Sequence, residues 1–381
     1  MTTYAPPTST EITPIAGLGH LSVTADLLES IGYVSEDQAS ATTVLVDHHF
    51  ERIVSHDGDV EVMPLADALV TYPWVQDLMF SLIDPTSDET LRRAFESSRR
   101  PFGVFTWVHD GARLTRPLQS FDLMTVPQER QFVHSITVIG EGAEVDCLSG
   151  SGVTPKLTHG KHVSISETFV GKGARMRSLS VERWGREMEV HSYGATRIGE
   201  DAVVSGVSVA VSAIRRHVST STTEVAARGV ESAHSVVFAP KGTHREMHLT
   251  TDLAGDGAHA EQVARMVSDG GHILNASTLV GTAPGCSGFL ECDGLMLSGE
   301  GSIDSVPSLQ ARTDRAELSH EASVGMVDNE KVDYLMALGM DEDAARDLIV
   351  QGFLDLDEQS LPAPLKERVA DLVAQARSAE M

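Results

Sequence analysis

Two groups of side chains in this 381-residue chain could do chemistry with soft metals or with sulfur. The first is a thiol, Cys292, in Leu290-Glu291-Cys292-Asp293-Gly294, just ahead of the apolar Leu295-Met296-Leu297. Thiolate is the natural soft ligand for iron–sulfur clusters and for persulfide sulfur in transit. The same side chain serves elsewhere as a small buried hydrophobe. The second group is the adjacent His320 and Glu321, flanked by Ser319, Ala322, Ser323 and Gly325. Imidazole and carboxylate can bind iron or manage protons near neutral pH. On a strand, adjacent residues point to opposite faces. These two therefore share one site only across a bulge, a turn or an interface.

Other candidates are thinner. Cys286 follows Pro284-Gly285 in a turn, and its C-x5-C spacing to Cys292 is weak as a metal motif, because a structural zinc site needs more ligands. His48-His49, His56-Asp57 and the His244/His248 pair have metal-like types without a completing signature. Three cysteines are too few for a disulfide framework. No phosphate-cradling G-x-x-x-x-G-K-[ST] is present; Gly171-Lys172-Gly173 reads as a repeat turn, so the chain is expected to hydrolyse no ATP itself.

The elements that must position these groups are β-rich. Val207, Val209, Val211 and Ala213 alternate with Ser208, Ala210 and Ser212, a two-residue period. A longer repeat runs over it. IGEGAEV (139–145), VGKGARM (170–176), IGEDAVV (198–204), AARGVES (226–232) and AGDGAHA (254–260) share a turn followed by apolar residues. The last three intervals are 28 residues each. Regular turns with no helix between them suit the stacked coils of a β-helix; a two-sheet sandwich is the alternative. Residues 1–20 are Thr/Pro-rich and are expected to be flexible. Helical spacing over Thr24 to Ile31, Ser35 to Arg52, Pro64 to Ile83 and Asp88 to Ser98 makes residues 21–101 a mostly helical N-terminal domain. The core is then 102–325 and a C-terminal helical domain 326–381. There, Asp328 can cap a helix over Val332 to Leu338 that Gly339 ends, and Asp341 can cap Ala344 to Leu354.

The net charge of −26 repels nucleic acid and anionic membrane surfaces, so neither is expected as a partner. The N-terminal MTTYAPPTSTEITP has no basic region followed by an apolar run, and no stretch approaches the roughly 18 apolar residues of a membrane span. A cytoplasmic location is the expectation.

The run Ala316–Leu354 closely resembles the C-terminal signature of the SufB/SufD family, the scaffold proteins of iron–sulfur cluster assembly. It reads SHEASVG, DNEKVDYLMALG and DEDAARDLIVQGFL. FTWVHDGARLTRPLQ (105–119) and HILNASTLVGTAPGCSGFLECDGLMLSGEG (272–301) are similar to early and late segments of the family core. The resemblance covers about 104–354. It implies a mainly β protein, with a right-handed parallel β-helix core flanked by α-helical N- and C-terminal domains. It also implies a transient iron–sulfur cluster near Cys292 and His320, with Glu321 beside them, and docking of the ABC-type ATPase SufC on the last helices. Docking candidates are Tyr334, Leu335, Leu348, Ile349 and Phe353. Val181-Glu182-Arg183-Trp184 resembles a family stretch in which Gln and Trp line an interior path proposed for sulfur transfer; Trp184 matches and Glu182 replaces Gln.

Two family thiols are missing. One falls at Gly301, counted back from Val306-Pro307, and the other near Ser151 or Gly152. The signature is thus neither fully B-type nor D-type, and it looks like the compact archaeal-type homologue, a homodimer or a partner of another SufB/SufD homologue. A structural dimer partner that binds no cluster is one alternative. A carbohydrate-active β-helix enzyme is another; it would need clustered carboxylates on an exposed sheet and leaves Ala316–Leu354 unexplained.

Overall fold

The computed structural model describes residues 27–127 and 130–354. Its strands form one ten-stranded and one nine-stranded sheet, and sequence neighbours sit in opposite sheets from Leu118 onward. From Leu118 onward each strand pairs in parallel with the strand one coil before it, giving a parallel β-solenoid of about eight coils. The 28-residue period reflects the coil length, 27 residues from Thr196 to its partner Thr223 and 28 from Thr223 to Thr251. The glycine turns stack as well. Gly142 N–H donates to Lys172 O and Gly173 N–H to Glu200 O, each at 2.8 Å.

Inside the solenoid an apolar seam runs along one corner, with Val170, Ile198, Val225 and Leu253 stacked coil on coil. Beside it the lumen is polar. Thr168, Thr196, Thr223 and Thr251 form one ladder, and Ser164, Ser192 and Ser219 a second. Alternation along each strand sends the opposite residues outward, where other elements cover them. Leu179, Val181, Val207, Val209 and Val236 lie on the outer face of the first sheet, under Leu27, Ile31, Val350 and Leu354.

The N-terminal part departs from the helical expectation. Where a helix is expected over Ser35 to Arg52, strands Ala41–Val46 and His49–Ser55 form, and Val60–Pro64 adds a third. Ala41–Val46 pairs in parallel with Leu118–Met124 and antiparallel with His49–Ser55, so it belongs to the solenoid sheet. All six of its residues are buried, which explains the absence of a two-residue period. Helix is confined here to a short turn ending near Ser30, to α1 (Leu65–Thr71), to α2 (Glu89–Ser97) and to two 3-10 turns, Glu36–Gln38 and Pro73–Asp77. Helix α2 lays Leu91 and Ala94 on the outer face of the second sheet, against Val163, Ile165, Tyr193 and Ala195. A buried staple fixes the chain that leads into it. The Glu167 carboxylate accepts from Phe80 N–H, Leu82 N–H and His134 Nε2, each at 2.8 Å, and it is fully buried.

At the other end, Asp328 accepts from Glu330 N–H and caps α3 (Asn329–Ala337), and Asp341 accepts from Ala344 N–H ahead of α4 (Glu342–Leu354). Gly339 between them has φ +100°, as a helix-ending glycine should. The expectation of a flexible 1–20 and the stretch 355–381 lie outside the described residues. The last coil, Ser302–Ala311 and Glu317–Met326, forms the edge of both sheets. Every residue from Ser319 to Met326 is exposed, including Val324 and Met326, and so is Val306 on the companion strand.

Candidate functional site: a polar lumen and its open end

Cys292 lies on strand Ser287–Met296, one coil below the open end, where it is 2% exposed. Its neighbours on the same face are Ala264 and Ala322. The side chain points into the lumen, packed with Met266, Ile273 and Ile303. Asn275 Nδ2 donates to its sulfur at 3.2 Å from the opposite sheet. Burial, above all, pushes the thiol up from its ordinary pKa, and the polar groups of Ser305 and Asn275 near the sulfur pull it partly back. Its proton is therefore held until a metal or another acceptor takes it.

His320 and Glu321 sit on Glu317–Met326 and are not brought together. Leu318 packs into the interior seam, so alternation puts His320 and Ala322 on the lumenal face and Glu321 on the outer one. His320 pairs with Leu290, and Ala322 with Cys292, which places His320 diagonally above the thiol. Glu321 pairs with Glu291, on the face where Arg265 binds Glu291 and Asp293. Gly301 closes the turn into the last coil. Its φ is +81°, and a Cβ there would lie 2.2 Å from Gly271 O. This backbone has no room for the family thiol at that position.

Glu182 and Trp184 lie deeper, on and just after strand Arg175–Arg183, and they meet residues that the sequence reading missed. His217 Nδ1 is 3.1 Å from Glu182 Oε2 and 3.0 Å from Arg245 Nη1, and its Nε2 is 3.2 Å from Ser192 Oγ. Arg245 is the largest fully buried side chain among the described residues and also donates to Ser212 O at 2.8 Å. The Trp184 ring packs on His162 at 4.9 Å, and His162 Nδ1 is 2.7 Å from Gln131 Oε1. Burial holds His217 down to about 4, against the pull of Glu182, and holds His162 down to about 3. Both imidazoles are neutral at pH 7. His217 can then either donate to Glu182 or accept from Arg245 through one nitrogen, a tautomer choice set by the pair.

Further along, Thr223 and Thr251 donate to Glu231 at 2.7 and 2.6 Å, and Gln262 donates to Thr251. Burial raises the Glu231 pKa above its ordinary value. A small void between Gln262, Asn275, Ser277 and Cys292 continues this chain to the thiol. His162, His217 and Arg245 stand in one column of the register through Val190, at the coil spacing. Aligning the sequence on its 28-residue period would have placed His217 and Arg245 together; His162 is out of step by one residue, because the coil from Val190 to His217 is 27 residues long.

Among the described residues no group of three or more His, Cys, Asp and Glu side chains could hold a metal ion. Cys292 and His320 supply two donors on one face, short of the four that a cluster takes.

The chain is thus a stacked β-solenoid with a polar lumen, two buried thiols, Cys286 in the apolar seam and Cys292 in the lumen, and a helical pair after its last coil. The chain matches the family model "SUF system FeS cluster assembly, SufBD core domain" over residues 123–353. It is 30% identical over 359 residues to an iron–sulfur cluster assembly SufBD family protein of Archaeoglobus fulgidus, covering 94% of this chain and 96% of that one. A relative of the same description from Methanothermobacter thermautotrophicus is 30% identical over 87% of this chain and 82% of its own. One from Pyrococcus horikoshii is 23% identical over 93% and 80%. The chain belongs to the SufBD family of iron–sulfur cluster assembly proteins, and the carbohydrate-active reading is left without support.

Proposed function

We propose that the chain is a non-catalytic scaffold on which iron–sulfur clusters are assembled and handed on, with an ABC-type SufC ATPase as its energy source. The observation that carries this reading is the polar lumen that ends at a buried thiol under an open coil. Cys292 and His320 face the same end, and a second copy, or another family member, laid against the exposed edge strands would bring further donors to it and cover the apolar Val324 and Met326. A homodimer is the simplest such arrangement. The cluster is cargo: iron would displace the Cys292 proton, and His320 would bind as the neutral imidazole. Glu182 and Trp184 fit an interior path for sulfur, since they meet His162, His217 and Arg245, and Arg245 stands in register with Ile273, which packs with Cys292.

Among the five docking candidates, Leu335, Ile349 and Phe353 pack on the solenoid or between the helices, whereas Tyr334 and Leu348 are exposed. The ATPase contact is assigned to those two exposed side chains.

The test is anaerobic reconstitution with iron and sulfide, followed by mass analysis of the complex purified with its ATPase. Cys292→Ser and His320→Ala should each lower bound iron and sulfide while the fold is retained. Unchanged yield in both variants, with normal ATPase binding, would favour the second reading: a structural dimer partner that holds no cluster. The thiol-excluding turn at Gly301 is the feature that speaks for that reading.

A further inference from the structure

The surface charge is not evenly spread. The chain carries 55 acidic against 29 basic residues, yet one edge of the solenoid reverses the balance. This edge is made by the turns that lead from the first sheet into the second at 154–158, 184–186 and 211–215. Lys156 and Lys161 lie on or just after the first turn, Arg183 and Arg186 flank the second, and Arg215 and Arg216 close the third. The only acids on these stretches are Glu187 and Glu189.

The strands hold these groups in line. Lys161, Glu189 and Arg216 are register partners on three successive coils. Coils stack at roughly 4.8 Å, so the cations form a ridge and do not converge on a point. Glu189 is shared: Lys161 Nζ lies 2.6 Å from it, Arg215 3.1 Å and His191 3.0 Å. One carboxylate thus serves two full cations, and although Glu246 binds Arg216 at 3.1 Å, positive charge stays in excess along the ridge. A groove of about 570 Å³ runs between Thr158, Lys161, Glu187 and Arg215. The opposite corner is built differently. Its turns carry Glu141, Lys172, Glu200, Asp201 and Arg228, acids outnumber bases, and Lys172 and Arg228 are both bound to Glu200.

We propose that this ridge is the docking surface for a partner protein that presents clustered carboxylates. A small anion would need convergent cations, and these are spread over three coils. A nucleic acid, continuously charged, would extend past the ridge onto surface of net charge −26, whereas a protein can confine its carboxylates to one patch. The interspersed Glu187 and Glu189 fit a mixed protein surface better than a phosphate backbone. The ridge overlies the corner that Leu157, Trp184 and Met188 close from within, so the partner would sit beside the lumen wall.

The test uses the full chain and a short fluorescein-labelled poly-L-glutamate at low ionic strength, read by anisotropy. The triple variant K156E/R183E/R215E should weaken binding roughly tenfold or more, while R228E at the opposite corner should leave it unchanged. Circular dichroism confirms that each variant is folded. Equal weakening by R228E, equal binding by the triple variant, or no binding to the wild type would overturn the assignment. Tighter binding to a single-stranded oligonucleotide of matched charge would overturn it in favour of nucleic acid. Self-association lost with the triple variant would make the acidic partner a second copy of this chain. None of these readings depends on cluster assembly.

Discussion

Replacing Glu167 by Ala should release the N-terminal cover from the second sheet while the solenoid persists. The wild-type carboxylate is fully buried and accepts from two backbone amides and one imidazole, each at 2.8 Å. Phe80, one of those amides, has φ +59°, a left-handed conformation unfavourable for a bulky residue. Alanine leaves two amides without an acceptor in a site that water does not reach. Each orphaned donor costs about 1–3 kcal/mol, and loss of the paired His134 brings the total to about 4 kcal/mol. That free energy corresponds to roughly a thousandfold rise in the open population of the segment. Hydrogen exchange at Phe80–Ser97 should accelerate accordingly, with little change in the strands from Val203 to Gly281. Glu167→Gln keeps one acceptor oxygen and should fall between. If exchange in Phe80–Ser97 is unchanged in Glu167→Ala, the staple does not hold this segment and the reasoning fails.

Further outcomes follow from the lumen and the helices. His162 and His217 have folded pKa values of about 3 and about 4, below the unfolded value near 6.5. Their contribution is complete above pH 6.5 and is lost as pH falls through the folded values, by about 3 kcal/mol for His217 alone. His217→Gln should flatten stability against pH between 6.5 and 4 in urea titrations, and an unaltered slope would contradict the assignment. Burial raises all three thiols, Cys147 to about 12. Iodoacetamide at pH 8 should therefore label the native protein slowly and the unfolded protein at every cysteine by mass spectrometry; fast native labelling of Cys292 would place it outside the lumen. Tyr334→Ala with Leu348→Ala should weaken ATPase binding by about tenfold or more, with a change in stability under about 1 kcal/mol. Binding retained in a pull-down titration would move the docking surface elsewhere.

Much of the fold was legible. The turn repeat fixed the coil length, because glycine turns recur wherever one coil lies on the next. The caps Asp328 and Asp341 and the stop at Gly339 marked the last two helices, since helix ends depend on local chemistry. Ala41–Val46 was misread because a strand buried on both faces loses its alternation, and its partner Leu118–Met124 lies 77 residues away. The opposed directions of His320 and Glu321 followed from strand geometry alone. Glu182 and Trp184 came from resemblance. Their partners Arg245, His217 and His162 were invisible to a reading that takes polar residues on strands to face solvent; here the polar face turns inward.

That inversion divides labour within the molecule. The corner seam and the covered outer faces carry the apolar packing, and the Thr and Ser ladders between them carry almost none. Substitutions among those lumenal hydroxyls should therefore cost the fold little. A tube whose strength resides in its casing is free to change its lining while keeping the same coils.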